Sequence, residues 1–471
     1  MKTRSIYKNI SPIDHRYSLS EPRVFDALSL YISEEAAIRY NTIAEIALIK
    51  AHLSVRHELT DSVAKKLDTV AQTIDPEAVY AEDEKTQHSI RALVNVIKTM
   101  VSKKLAPLVH LGATSVDILD TALSARMRDV VQNVVLPELK KLETQLCYIT
   151  EREATTPQVG RTHGQHAVPI TFGFAMAEYV SRLGISIQHI ETLSNTLCGK
   201  LAGPVGAYNG TSMLVNDPEE LEKRYLEYMN LHASEHSTQL VQPEHLLRVL
   251  LECNIAFGII ANLADDLRNL QRSEIGEVFE YFSTTQVGSS TMPQKRNPWN
   301  SEHVKSLWKT YCPRVMTFYM DQISEHQRDL SNSASQRFIA EYISGFTMAI
   351  VRMRKIVSGL QCDHQNMTRN LLHAGGKVQG GVLAEPAYIL LAQTGVTDAH
   401  EIIRKMTIDA EHHNITFYEA MQKKPKIFTA IKNQLKKLGE SDPEGFFAHP
   451  ERYRGIAAEK AIQIAKKYKN L

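Results

Sequence analysis

From Leu123 to Ile149, apolar side chains recur every three or four positions, through Met127, Val130, Val131, Val134, Val135, Leu139, Leu142 and Leu146. That spacing lays them along one stripe of an α-helix. Pro137 stands inside the run and predicts a kink or local break, because it lacks an N–H and its ring crowds the preceding turn. A second pattern runs from Phe172 to Leu197 through Met176, Val180, Leu183, Ile187 and Ile190. A third runs from Glu244 to Phe282 through Ile255, Ile259, Leu263, Leu267, Leu270 and Val278. Two more cover 301–324 and 336–360. Helices of about 25–35 residues exceed the globular average of about 11–12 and suit a bundle whose members pack along their full length. The Gly-rich stretch "CGKLAGPVGAYNGTSM" (Cys198–Met213) predicts a small hairpin or loop. The pattern predicts an all-α fold in which a long central helical bundle, 113–362, is flanked by two smaller helical domains, 1–112 and 363–471.

Length agrees with this division, since 471 residues at about 150 per domain give roughly three. Hydrophobic content of 43% and charged content of 23% are those of a soluble globular protein. A formal net charge of +1 points to neither nucleic acid nor an anionic membrane as partner. Five cysteines, an odd number with no C-x-x-C pair, read as free thiols in a reducing compartment. The N-terminus has no apolar h-region and no uninterrupted run of eighteen apolar residues occurs, so the expectation is a cytoplasmic protein without a membrane span.

Three polar segments interrupt the helical pattern, and chemistry is sought there. In "HLGATSVDILDTA" (His110–Ala122), Thr114, Ser115 and Asp117 precede an apolar-periodic helix. They read as an N-cap with an acidic first turn, and also as free N–H groups that favour a carboxylate or phosphate. In "GRTHGQHAVPITFG" (Gly160–Gly173), His163 and His166 are three apart, but no third ligand follows at suitable spacing, so no metal is expected. His163, set among Gly, Thr and Arg, suits a general acid or a hydrogen-bonding loop histidine. The third segment, "STTQVGSSTMPQKRNPWNSE" (Ser283–Glu302), cannot build a core. It offers the hydroxyls of Ser289 and Ser290, the cation of Lys295 and the amide of Asn297, which is anion-binding chemistry on an irregular backbone. Long loops of this kind inside compact proteins tend to be functional.

Within that segment, "GSSTMPQKRNP" (Gly288–Pro298) resembles the shared motif of the fumarase/aspartase superfamily, and the two other polar segments resemble its remaining shared regions in the same order. "SPIDHRYS" (Ser11–Ser18), "KRNP" and "HQRDLSNSASQR" (His326–Arg337) are further similar to the adenylosuccinate lyase family. The resemblance implies elimination of fumarate from adenylosuccinate, and from its carboxamide-imidazole ribotide counterpart, without a cofactor. It gives the base role to Ser289, the general acid to His163, an assisting or phosphate-contacting role to His88, and charge stabilisation to Lys295. It assigns substrate binding to Arg16, Tyr17, Gln87, Ser89, Thr114, Ser115, Gln239, Ser290, Asn297, Arg328, Ser333 and Arg337. It also implies a homotetramer with sites shared between subunits, and a loop at 283–302 that closes as a lid. Two positions depart from the family pattern: Ser89 replaces an acidic neighbour of His88, and His303 stands where some relatives carry arginine. The rival readings are another fumarate-releasing lyase of the superfamily, such as argininosuccinate lyase, and a catalytically silent helical scaffold. Arg16, Arg328 and Arg337, suited to a substrate phosphate, weigh against the first; His163, Ser289 and Lys295 weigh against the second.

Overall fold

A computed structural model describes residues 5–283, 285, 286 and 288–471. The chain forms two compact units, one made of Met1–Lys140, Ile185–Gly258 and Ser306–Val351, the other of Lys141–Gly184, Ile259–Lys305 and Arg352–Leu471. Both are helical, as the periodicity requires.

In the first unit, helix Glu34–Val55 buries Ile38, Ala44, Leu48 and Ile49 and packs against helices Ser115–Val130 and Pro218–Met229. A π-helical turn, Val131–Val135, follows Ser115–Val130, and helix Leu136–Arg152 resumes beyond it, its residues from Lys141 on belonging to the second unit. The irregular turn lies immediately before Pro137, whose ring would meet the carbonyl four residues back in a regular helix, so the expected break is present. Phe257 packs on Phe346 with ring centroids 5.3 Å apart, and Phe318 meets Tyr342 edge to face at 5.9 Å. The Tyr342 hydroxyl, buried with its ring, donates to the Leu250 carbonyl at 3.2 Å. Helix Glu244–Leu270 has the length and apolar composition of a membrane span. Its first half instead buries Val249, Leu250, Cys253, Ala256 and Phe257 within this unit.

In the second unit, strands Pro157–Thr162 and Gln165–Thr171 form an antiparallel hairpin, and helix His364–Leu372 packs on the first strand. Leu390, Ile403, Phe417, Met421, Phe428 and Ile431 fill a core built by the C-terminal helices. Phe428 and Phe447 meet edge to face at 6.2 Å.

Two helix patterns end differently from their apolar periodicity. The run expected to reach Phe282 stops at Leu270, where Glu277 N–H returns to the Leu270 carbonyl at 2.9 Å. Val278 and Phe279, read as helical, pair as a short antiparallel strand with Gln361–Cys362. The run expected over 301–324 divides into Trp299–Tyr311 and Arg314–Met320, since Pro313 cannot continue a helix. Residues 198–213 make no hairpin with themselves; Cys198–Gly199 pairs in parallel with His232–Ala233, and turns follow. All five cysteines are free thiols.

Candidate active site

The segment holding His163 is a β-hairpin, not the plain loop its polarity implied. Thr162 faces Gln165, leaving His163 and Gly164 as a two-residue turn with φ of 53° and 74°. Two left-handed residues in succession are what the right-handed twist of a hairpin favours; glycine takes the second place without strain and histidine tolerates the first better than a β-branched residue would. His163 is thereby set, exposed, on the hairpin tip. Below it, Arg161 makes a bidentate pair with the fully buried Glu277, at 2.6 and 3.2 Å. Glu277 also accepts from Gln158 at 2.8 Å and from Asn370 of helix His364–Leu372 at 2.9 Å, so three hydrogen bonds fix the strand that leads to the tip and a fourth ties it to that helix. Across from Arg161 lies His166, whose pKa is held below the usual imidazole range by burial and by the Arg161 charge.

The segment 283–302 is irregular over its described residues up to Pro298. Ser289 Oγ accepts the backbone N–H of Thr291 at 3.3 Å and of Met292 at 3.1 Å. Asn297 Nδ2 donates to the Gly288 carbonyl at 3.0 Å. A Cβ on residue 288 would lie 2.2 Å from the Lys295 carbonyl oxygen, so only glycine lets the two ends of the loop close on each other. The loop is pinched at its base, with Ser289 half-buried and Ser290 and Lys295 exposed. The helix that follows, Trp299–Tyr311, is capped by the buried Glu280. Its carboxylate accepts from Asn300 N at 3.2 Å and Nδ2 at 2.9 Å, and from Ser301 N at 2.7 Å and Oγ at 2.6 Å. Hairpin, loop and cap all belong to the second unit.

The remaining candidates belong to the first unit. Ser89, Arg328, Ser333 and Arg337 line one cavity of about 660 Å³, together with Asp120, Arg126, Tyr80 and Asp83. Gln239 lies beside Arg328, its N–H donating to the Gln327 carbonyl at 3.3 Å. Thr114 caps helix Ser115–Val130, and its N–H donates to Asp117 at 2.8 Å, as the capping reading required. His88 caps helix Ser89–Met100, with Nδ1 accepting from Arg91 N–H at 3.2 Å. That bond puts the proton of the neutral ring on Nε2, so the helix end orients His88 in place of the acidic neighbour that Ser89 does not supply. Gln87 has a left-handed φ of 48° and ends helix Pro76–Thr86. Arg16, exposed, opens the short helix Arg16–Ser20 beside the half-buried Tyr17. Arg16, Tyr17, Gln87, His88, Thr114, Ser115 and Gln239 do not line the cavity.

Two cavity groups escaped the sequence reading. Asp120 Oδ2 accepts from Val241 N–H at 3.1 Å, and burial pushes its carboxyl up to about 6 against the opposing pull of Lys200 and Arg328. Its signal was present in "SVDILDTA", where a second acid follows the capping Asp117 by one turn and has no capping work to do. Arg126 donates to the Tyr31 carbonyl at 2.8 Å, and burial lowers its pKa. It carried no local signal.

Residues 15–316 match the family described as "Lyase", and residues 324–442 the family described as "Adenylosuccinate lyase C-terminal". The adenylosuccinate lyase of Pyrococcus abyssi is 31% identical over 458 residues, covering 96% of each chain. That of Pyrococcus horikoshii is 31% identical over 97% of each, and that of Methanocaldococcus jannaschii 28% identical over 98% of this chain and 96% of its own. Among solved structures, a fumarate lyase from Mesorhizobium sp. BNC1 superposes with a TM-score of 0.79 at 21% identity, covering 94% of this chain and 97% of that one. The 3-carboxy-cis,cis-muconate lactonizing enzyme of Pseudomonas putida superposes with a TM-score of 0.77 at 24% identity, over the same shares. At such identities these likenesses show the fold, the all-α fumarase/aspartase architecture.

Proposed function

We propose, from the premise that this chain belongs to the adenylosuccinate lyase family, that it eliminates fumarate from adenylosuccinate to leave AMP, and from the succinylated carboxamide-imidazole ribotide to leave the free ribotide. The observation that carries the reading is the match of 324–442 to the adenylosuccinate lyase C-terminal family, alongside relatives of that name spanning both chains nearly end to end. That region contains Arg328, Ser333 and Arg337, and two of these are guanidiniums suited to a phosphate.

The chemistry takes a proton from the carbon beside a carboxylate, forms the fumarate double bond with that electron pair, and breaks the bond from the neighbouring carbon to nitrogen. The nitrogen leaves with its pair and needs a proton. Deprotonation gathers two negative charges on one carboxylate, so fixed positive charge and N–H dipoles are the largest requirement. Lys295 and Asn297 answer it in this reading, with Ser290 and the Thr114–Ser115 helix start as further carboxylate donors. Ser289 is the base. A free hydroxyl is too weak for this, but the two backbone N–H groups directed at Ser289 Oγ favour its alkoxide. His163 protonates the nitrogen, since imidazoles as a class exchange protons near neutrality. His88 assists through Nε2, while Arg16, Tyr17, Gln87, Ser89, Gln239, Arg328, Ser333 and Arg337 hold the nucleotide. Closure of the 283–302 loop excludes water from the step.

The same reading proposes a cytoplasmic homotetramer with sites shared between subunits. The free thiols support the compartment, and the exposed Met316, Met320, Ile323 and Leu330 support a surface that a partner covers. Mixing His163→Ala and Ser289→Ala proteins should restore activity through hybrid sites; no recovery after proven subunit exchange would exclude sharing. The defining experiment incubates the purified protein with adenylosuccinate and follows AMP and fumarate together, with argininosuccinate as control. Equal release of both products supports the reading, and intact adenylosuccinate overturns it.

A further inference from the structure

The Gly-rich stretch 198–213 takes no part in the chemistry above, yet it carries a lysine with no solvent exposure. Lys200 Nζ donates to the equally buried Asp117 and, at 3.0 Å, to the Gly203 carbonyl. Asp117 accepts the Thr114 N–H at 2.8 Å on one oxygen, and the N–H groups of Ala202 and Gly203 at 3.2 and 3.3 Å on the other. One turn along the helix, Thr121 Oγ1 accepts the Lys200 N–H at 3.1 Å and donates to the Lys200 carbonyl at 3.2 Å. The Tyr225 hydroxyl adds a bond to the Asp117 carbonyl at 2.9 Å. Four residues before Thr114, the segment leading into this helix is held by Glu45, fully buried, which accepts from His110 N at 3.0 Å and pairs with His110 Nδ1 at 2.7 Å.

A buried ion pair is weak support for a fold, because an apolar pair of the same volume serves stability as well or better. What a buried carboxylate with four donors supplies is direction. Asp117 touches the backbone of Thr114, the residue whose hydroxyl, with that of Ser115, faces a substrate carboxylate in the proposed reaction. We propose that Lys200 is a positioning residue for the elimination: it holds the Asp117 carboxylate in place, and through the Asp117–Thr114 bond it sets the direction from which the Thr114 and Ser115 hydroxyls meet the succinyl carboxylate. This inference rests on the reading above.

The test separates the two ends of the substrate. Lys200→Met keeps an unbranched side chain one atom shorter and removes the charge; D117L/K200M replaces both partners and leaves no charge unpaired, so it serves where the single variant does not fold. Inhibition by fumarate reads the carboxylate end, and inhibition by AMP reads the nucleotide end. The folded variant should bind fumarate about tenfold or more weakly, the loss expected for a charge-assisted contact, with AMP affinity kept. Its kcat should fall about 100-fold, as misplacement of roughly an ångström does. Lys200→Arg, which keeps the charge, should recover part of both. Fumarate and AMP affinities falling together, or a folded D117L/K200M protein with wild-type fumarate affinity and kcat, would overturn the proposal. Wild-type protein that leaves adenylosuccinate intact would sink the functional reading instead, and is seen before any variant is made.

Discussion

Glutamate 277 offers the sharpest separation of hairpin anchoring from hairpin chemistry. It does not reach the tip, yet it accepts four hydrogen bonds, two from Arg161, which stands two residues before His163. Glu277→Gln preserves shape and removes one charge. The new amide then faces donors with donors: Arg161 donates to both carboxylate oxygens, so its guanidinium must confront the NH2 group in either orientation, together with the amide of Gln158 in one and of Asn370 in the other. The Glu277 side chain is fully buried and that of Arg161 is 17% exposed, so the lost pair is a buried one and the destabilisation should be about 3–5 kcal/mol. Release of the strand should shift the tip by an amount that lowers kcat about 100-fold, with KM much less affected. Urea unfolding measures the first quantity and steady-state turnover of adenylosuccinate the second. An unchanged urea midpoint would refute the anchoring argument. A lowered midpoint with kcat within about twofold of wild type would refute the link from anchor to His163.

Two other carboxyls, both raised by burial, make predictions of a different sign. Asp120 is raised by burial from the ordinary 3.8 to about 6, so between those pH values the unfolded chain ionises while the folded one keeps its proton. Its stabilising contribution is full below about pH 4 and lost as pH rises through 6, a span worth about 3 kcal/mol; Asp120→Asn should flatten the wild-type fall in urea midpoint over that window, and parallel curves would disprove it. Among the described residues neither buried oxygen of Glu143 has a partner, and burial holds its carboxyl well above the usual range. Glu143→Leu should therefore raise stability by about 1–3 kcal/mol at neutral pH, with a gap that widens as pH rises; a variant less stable than wild type at pH 8 would show that an internal partner satisfies the acid.

The helices were legible because each exposes a long apolar stripe in the chain itself, and Pro137 announced its own interruption. Their ends were less so. Val278 and Phe279 fit the helical phase of the preceding run, and only the partner strand Gln361–Cys362, some eighty residues away, makes them extended. The hairpin under His163 was hidden for a related reason. Its strands, "PQVGRT" and "QHAVPIT", are too polar at the tip to alternate cleanly, and the turn is written His-Gly instead of the more familiar Asn-Gly. The candidate reactive groups were readable from the motifs and their order, while the groups that fix them were not. Asp120, Arg161, Lys200 and Glu277 are ordinary charges in a sequence, and burial, which gives them meaning, is a property of the packed chain.

A common construction underlies the three polar segments. Each has a buried carboxylate behind it: Asp117 for 110–122, Glu277 for 160–173, and Glu280 for 283–302. Each accepts several fixed donors, including backbone N–H groups at Asp117 and Glu280. Loops alone would relax around a developing dianion, and their dipoles would reorient at the moment of reaction, which is the cost preorganisation avoids. A buried carboxylate prevents this because moving any one donor strands a charge out of water, a penalty far larger than the small torsional freedom gained. Desolvation is therefore set against geometry three times over. It follows that substitutions at these acids should degrade catalysis and stability together, whereas substitutions at Ser289 or His163, half-buried and exposed, should degrade catalysis alone.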